Sequence, residues 1–156
     1  MTVYRGARRD PAGRYLVVVA EFNHWITDRL LRGALRAFAA AGVRASRVDV
    51  AWVPGSFELP AAAKAGVATG RYRGVVALGA VIRGETTHDE HVAAGCVQGL
   101  QAVAASTSIP ITFGVITANT FDQAAARARL DGGRNMGAGA ARAAVEMATL
   151  LDRLSR

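Results

Sequence analysis

The 156-residue chain is poor in cysteine, lysine and aromatic residues, and it has no long apolar run. Its one cysteine, Cys96, excludes an intrachain disulfide framework and favours a reducing compartment, so we expect a cytoplasmic protein. No apolar stretch approaches the roughly 18 residues of a membrane-spanning helix, and no apolar signal segment follows the charged start. Hydrophobic residues nevertheless make up 51% of the chain, which is typical of a globular protein and not of a disordered one.

Arginine supplies nearly all of the positive charge. Lys64 is the single lysine among 19 basic residues, and the formal net charge is +7. Such a charge attracts anions in general, including nucleic acids and phosphorylated substrates. The arginines are scattered, however: no basic run alternates with aromatic residues, and no nucleic-acid-binding motif is present. We therefore expect no nucleic-acid partner.

Apolar β-branched runs alternate with amphipathic segments along the chain. Strands are predicted over residues 15–20, 46–53, 74–82 and 110–116. Helices are predicted over residues 26–41, 57–68, 89–105, 121–129 and 140–154. Buried strands joined by helical crossovers form parallel sheets with both faces covered. We predict a three-layer α/β/α sandwich with a four-stranded parallel sheet. Residues 14–156 form one domain, and residues 1–13 form a flexible or partner-docked arm.

In such sheets, ligands bind at the carboxyl ends of the strands. Four loops qualify: 21–25, 53–58, 83–88 and 117–121. The third loop leads directly into a helix, where free backbone amides and the positive dipole end suit an anion such as a phosphate. The alternative is an ordinary helix start, with Thr87 as N-cap and the acidic side chains of Asp89 and Glu90 complementing the dipole.

His88 stands at the start of this helix and is a candidate for proton transfer near neutral pH, although a surface histidine is an equal alternative. His91 follows one turn later, but the spacing does not match a zinc motif and no second ligand cluster is evident, so we expect no metal.

Cys96 lies further along among alanines and is predicted to be a small buried residue. Phe113, in the fourth strand, is expected to pack in the core.

The first two loops carry aromatic and polar residues together. Phe22 and Asn23 could stack on a planar ring and hydrogen-bond its edge, or Phe22 could cover the core instead. The turn before Ser56 exposes the amides of Ser56 and Phe57 and directs the Glu58 carboxylate towards a polyol or an amine. The alternative for Glu58 is a favourable position in the first helical turn.

Four segments occur in this order and spacing: FN at 22–23, VPGSFELP at 53–60, GAVIRGETTH at 79–88 and FGVIT at 113–117. Together they resemble the 6,7-dimethyl-8-ribityllumazine synthase family of riboflavin biosynthesis, and the likeness extends over about residues 14–152. The resemblance implies a flavodoxin-like fold. It also implies a cofactor-independent condensation of 5-amino-6-(D-ribitylamino)uracil with 3,4-dihydroxy-2-butanone 4-phosphate, which releases phosphate and water.

The resemblance also implies roles for individual residues. The pyrimidine ring and ribityl chain are bound by Phe22, Asn23, Ser56, Phe57, Glu58, Val81, Ile82 and Phe113. The phosphate is bound by Gly84, Glu85, Thr86 and Arg127. His88 transfers protons, and the adjacent subunit of a pentamer contributes Phe113 and Arg127.

Two stretches depart from the family's pattern. Asp89 and His91 stand where the family commonly has aromatic residues. Met136 and Gly139 stand where it usually has a lysine and an acidic residue, and Arg134 is a candidate for the missing positive charge. These departures leave open an alternative: a low-activity relative that acts as a flavin- or lumazine-binding protein.

The family resemblance further implies a homo-oligomer that acts on small-molecule substrates. Family pentamers sometimes pair into decamers or close into sixty-subunit shells, and riboflavin synthase is a candidate partner. The arm over residues 1–13 could add a strand to the sheet of a neighbouring subunit. No membrane partner is expected.

Overall fold

Buried β-branched residues build the central sheet of the computed structural model, which describes residues 1–156. The strands are β1 (Tyr15–Ala20), β2 (Val48–Val53), β3 (Gly74–Ile82) and β4 (Ile111–Ala118). They lie in the order β2–β1–β3–β4, and every neighbouring pair is parallel. The two central strands are nearly continuous apolar runs because helices cover both of their faces.

Five α-helices connect and cover the strands. They are α1 (His24–Ala40), α2 (Leu59–Ala68), α3 (His88–Ala105), α4 (Phe121–Ala125) and α5 (Met136–Leu154). Helices α1 and α5 pack together on one face of the sheet, and α2 and α3 cover the other. Short 3-10 turns, Ala45–Arg47 and Ser56–Glu58, precede β2 and α2. The predicted three-layer α/β/α sandwich is confirmed.

Alternation along β1 divides the core between the two faces. Tyr15, Val17 and Val19 face α1 and α5, whereas Leu16 and Val18 face α2 and α3. This follows from strand geometry, since successive side chains point to opposite sides of the sheet. None of the helices combines the length and the apolar character needed to cross a membrane.

The last two helices differ from their predicted bounds. Helix α5 begins at Met136 instead of 140, because the Asn135 side chain caps it by accepting a hydrogen bond from the Ala138 amide at 2.9 Å. Helix α4 ends at Ala125 instead of 129, and an antiparallel bridge between Ala128 and Asn135 closes the following loop. Strand β4 extends two residues beyond its predicted end at 116.

The N-terminal arm lies along α5 of its own chain. The Ala7 amide donates to Thr149 Oγ1 at 2.7 Å, and Thr149 Oγ1 lies 3.1 Å from the Ala7 carbonyl oxygen. Arg153 donates to the Arg5 carbonyl at 2.7 Å. Residues 1–4 are exposed. Docking of the arm on a partner, or addition of a strand to a neighbouring sheet, stays a prediction.

A buried polar cluster fixes this arm at the amino edge of the sheet. Tyr15 donates its hydroxyl hydrogen to Asp10 Oδ2 at 2.6 Å, and Arg73 Nε donates to the same oxygen at 2.8 Å. Arg73 also reaches Asp152 near the end of α5, at 2.7 Å. Burial, followed by the hydrogen bond to Asp10, raises the pKa of Tyr15 far above its ordinary value. Tyr15 is therefore a neutral donor that holds the Asp10 carboxylate.

Candidate active site

A cavity of about 640 Å³ opens at the carboxyl edge of the sheet. Loops that follow β1, β2 and β3 form its walls, as expected for an open parallel sheet. Nine of the predicted site residues line it: Phe22, Ser56, Phe57, Glu58, Val81, Ile82, Gly84, Thr86 and His88. Residues that are far apart in sequence thus meet in one pocket.

Two aromatic rings line this cavity and are not packed in the hydrophobic core. Phe22 is 71% exposed and Phe57 is 60% exposed. The alternative that Phe22 covers the core is therefore wrong. The Phe57 ring lies over Gly95 of α3, where a side chain would collide with it. Both rings are available to a flat ligand, which an aromatic face binds well.

Asn23 holds the first loop against the third strand. Its backbone is left-handed, with φ of 60°, a conformation that asparagine tolerates better than most residues. Its side-chain nitrogen donates to the Ala80 carbonyl at 2.8 Å, and Ala80 lines the cavity. Asn23 itself does not line the cavity, so its contact with a substrate stays a prediction.

Ser56 and Glu58 differ in exposure although both lie in the same 3-10 turn. Ser56 is buried and lies against Gly79 of β3, where a Cβ would collide with the Ser56 hydroxyl. Glu58 is exposed and contributes a carboxylate to the cavity wall. The turn therefore offers one buried hydroxyl and one exposed carboxylate to a polar ligand.

In the first turn of α3, the Asp89 amide has no partner, whereas the His88 amide donates to Thr86 Oγ1 at 3.4 Å and the Glu90 amide donates to the Thr87 carbonyl at 3.1 Å. Thr87 occupies the N-cap position, but its hydroxyl makes no capping hydrogen bond. The alternative of an ordinary cap by that side chain is therefore wrong, while Asp89 does lie in the first turn. Gly84 has open space around its Cα, whereas Glu85 is exposed and does not line the cavity. An anion can approach the free amide of this turn.

A second cavity of about 510 Å³ lies beside β4 and the start of α5. It contains Phe113, Arg134 and the two departures from the family pattern, Met136 and Gly139. Phe113 is 43% exposed, so the expectation that it packs in the core is wrong. The physical reason is that β4 is an edge strand with part of its length uncovered.

Arg127 lines neither of these cavities. Arg127 lies on the loop that follows α4, and its guanidinium donates to the carbonyl of Gln123 in that helix at 2.8 Å. Within one chain, the structure does not bring Phe113, Arg127 and Arg134 to the first cavity. Their predicted roles at the substrate require a second subunit.

Several lining residues are absent from the predicted site. Asp89, His91 and Val92 line the first cavity, and Arg142 lines the second. The signal for His91 and Val92 was helical spacing, since they follow His88 by three and four residues on α3. No signal in the sequence distinguished Arg142 from the other scattered arginines.

No group of three or more histidine, cysteine, aspartate or glutamate side chains is arranged to hold a metal ion.

Cys96 is fully buried in α3, as predicted. Burial raises the pKa of its thiol from 9.0 to about 11, so the group is an uncharged packing residue near neutral pH.

The fold and the cavity define a flavodoxin-like α/β protein with a pocket of exposed aromatic rings and polar groups at the carboxyl edge of its sheet. The chain belongs to the 6,7-dimethyl-8-ribityllumazine synthase family, whose model matches residues 12–152. It is an enzyme of riboflavin biosynthesis, a transferase of this class.

Two curated relatives carry the name 6,7-dimethyl-8-ribityllumazine synthase. The protein from Edwardsiella ictaluri (strain 93-146) is 45% identical over 152 residues. The protein from Sodalis glossinidius (strain morsitans) is 45% identical over 153 residues. In both comparisons the match covers 97% of this chain and 97% of the relative.

Proposed function

We propose that the first cavity is where this chain condenses 5-amino-6-(D-ribitylamino)uracil with 3,4-dihydroxy-2-butanone 4-phosphate to 6,7-dimethyl-8-ribityllumazine. The observation that carries the proposal is the meeting of nine predicted residues in one cavity. Each part of the substrate pair has a chemically suitable group in its wall, so that the cavity suits this reaction as a whole.

The ring and its ribityl chain occupy the part of the cavity formed by the first two loops. Phe22 stacks on the pyrimidine, because its exposed ring has no partner in the core. Ser56 and Glu58 hydrogen-bond the ribityl hydroxyls, and the backbone at Val81 and Ile82 contacts the uracil edge. Asn23 supports this wall through its bond to Ala80.

The phosphate group binds at the start of α3. Gly84 leaves room for the anion, and the free Asp89 amide and the hydroxyl of Thr86 donate to it. The resemblance to the family adds Glu85 and Arg127 to this phosphate site. A cationic partner is needed, because phosphate leaves more readily when its developing charge is neutralised.

His88 transfers protons during imine formation, phosphate loss and ring closure. Its side chain lines the cavity one residue beyond the phosphate loop. Such a position suits a proton shuttle, which contributes roughly 10²–10⁴-fold in enzymes that use one. Proximity of the two substrates supplies much of the remaining acceleration, since an amine attacking a ketone needs no strong nucleophile.

The family implies small-molecule substrates and, in general, an oligomeric assembly. We propose a pentamer in which each site takes Phe113 and Arg127 from the adjacent chain. Arg134 supplies the positive charge of the lysine that the family usually has at the position of Met136. Residues 14–156 act as one cytoplasmic domain, with the arm over 1–13 influencing whether pentamers pair, close into shells or meet riboflavin synthase.

A direct assay tests the reaction. The purified chain is mixed with both substrates, and lumazine is followed by absorbance and fluorescence after subtraction of the uncatalysed rate. We expect clear acceleration that His88→Ala reduces by at least tenfold. Absence of acceleration, with ribitylaminouracil still bound, would contradict the proposal and favour the ligand-binding alternative.

A further inference from the structure

Besides His88, the wall of the first cavity contains a second histidine. His91 lines the same cavity, and so does Asp89 between them. The only other ionisable group in the lining is Glu58, on the opposite 3-10 turn. The reacting atoms are therefore faced by two imidazoles and two carboxylates of a single chain.

The two imidazoles lie on one face of α3. Residues three apart on a helix have Cβ atoms about 5–6 Å from each other, which is within the length of a bound substrate. Neither side chain has a hydrogen bond or an ion pair within the chain, whereas His24 pairs with Glu21 at 3.2 Å. Both imidazoles are exposed and free to contact a ligand.

The reaction needs more than one proton transfer. Loss of phosphate breaks the carbon–oxygen bond at carbon 4, whose electron pair leaves with phosphate, and a proton leaves carbon 3 to an acceptor. The enol that results takes up a proton at carbon 4 and loses its hydroxyl proton, which leaves a ketone at carbon 3. Ring closure forms a carbon–nitrogen bond to carbon 3; the oxygen receives the proton of the attacking nitrogen and leaves as water after one more proton is delivered. With a single imidazole, these transfers have to take place one after another.

We propose that His91 is a second catalytic proton-transfer residue, which acts with His88 as a two-imidazole relay in this cavity. While one imidazole holds the proton taken from carbon 3, the other delivers a proton to the departing hydroxyl. Asp89 and Glu58 are the carboxylates that line the cavity beside this pair. The inference rests on the proposed function, because it assigns a role in the same reaction.

The decisive variant is His91→Gln, which keeps the size and a hydrogen-bonding group but cannot exchange a proton. Glu90→Gln is its matched control, since Glu90 is exposed on the same helical turn but does not line the cavity. For His91→Gln we expect at least a fivefold loss of kcat with KM little changed, and a changed pH profile of kcat between pH 5 and 8. Glu90→Gln should match the wild-type chain in kcat, in KM and in the pH profile of kcat.

Two further measurements separate a chemical role from a structural one. Added imidazole should restore part of the rate of His91→Ala, which places a small residue in the wall, but should not affect Glu90→Gln. His88→Ala should keep a residual rate that the double variant with His91→Gln loses. These results would support the relay.

The inference is overturned if His91→Gln retains the wild-type kcat and pH profile, or if it lowers the rate only through KM. That outcome would leave the proposed function intact, because the wild-type chain would still accelerate the condensation. If the wild-type chain gives no acceleration over the uncatalysed rate, the proposed function fails and the relay fails with it.

Discussion

At the scale of single residues, exposure distinguishes the groups that can act from those that only pack. Phe22, Phe57 and Phe113 are large apolar side chains that remain exposed, and each belongs to one of the two cavities. Cys96 is the opposite case, since it is fully buried. A sequence shows residue type but not exposure, which is why Phe113 was expected in the core.

The burial of Cys96 has a direct chemical consequence. Because its pKa is about 11 instead of 9.0, the thiol stays protonated through neutral pH and ionises only well above pH 9. We expect no reaction of the native protein with a thiol reagent at pH 8 and full reaction in denaturant. The same raised pKa predicts that stability falls as pH rises from about 9 towards 11, since the unfolded thiol ionises first. Rapid labelling of the native chain would contradict both expectations.

At the scale of the elements, the contact between α1 and α5 depends on glycine. A Cβ on Gly137 would collide with the Leu30 carbonyl, so the two helices approach backbone to backbone there. Sequence reasoning predicted the strands and the central helices well, because their apolar periodicity is regular. It placed the start of α5 too late, because Met136, Gly137 and Gly139 provide no apolar face and glycine disfavours helices.

Two glycine variants of α5 give opposite outcomes. Gly137→Ala should destabilise the protein by about 1–3 kcal/mol, because the tight α1–α5 contact has no room for a methyl group. Gly139→Ala is the matched control: nothing lies within 4 Å of its added Cβ, so the better helix propensity should stabilise by about 0.5–1 kcal/mol. Urea unfolding midpoints measure both, and a stable Gly137→Ala variant would contradict the packing described for α1 and α5.

The cap of α5 is a further test at this scale. Asn135 accepts from the Ala138 amide, and its nitrogen donates to the carbonyls of Arg29 at 3.0 Å and Arg129 at 3.1 Å. Asn135→Ala removes all three bonds and should cost about 2 kcal/mol or more in free energy of unfolding. Asn135→Asp keeps the cap but loses the donors, so its thermal unfolding temperature should lie between those of Asn135→Ala and the wild type. Equal stability of Asn135→Ala and the wild type would exclude this role.

At the scale of the whole molecule, two residues that the family resemblance assigns to the site, Phe113 and Arg127, lie outside the first cavity of their own chain. The loops at the carboxyl edge could be predicted to converge, because strand order and the parallel arrangement alone bring them together. For Phe113 and Arg127, only the family resemblance implied a position away from the first cavity of their own chain, because periodicity and strand order do not show which residues face a neighbouring subunit. The shared-site arrangement therefore has to be tested on the assembly.

Mixed oligomers provide that test. His88→Ala and Arg127→Ala chains should each be slow alone, because each lacks one half of every site. Co-assembly of equal amounts should restore activity in about one quarter of the sites, since a random ring pairs an intact His88 with an intact Arg127 that often. Mixing without subunit exchange serves as the control. No recovery after confirmed exchange would show that each chain supplies both residues itself.

The cluster of Asp10, Tyr15, Arg73 and Asp152 joins the two ends of the chain at one place. It lies at the amino edge of the sheet, whereas the cavity lies at the carboxyl edge. A peptide or fluorophore attached after Arg156 is therefore displayed on the side of the subunit remote from the substrate entrance. Cargo carried there and turnover in the cavity should proceed independently, which makes the C-terminus the natural attachment point for labelling the working enzyme.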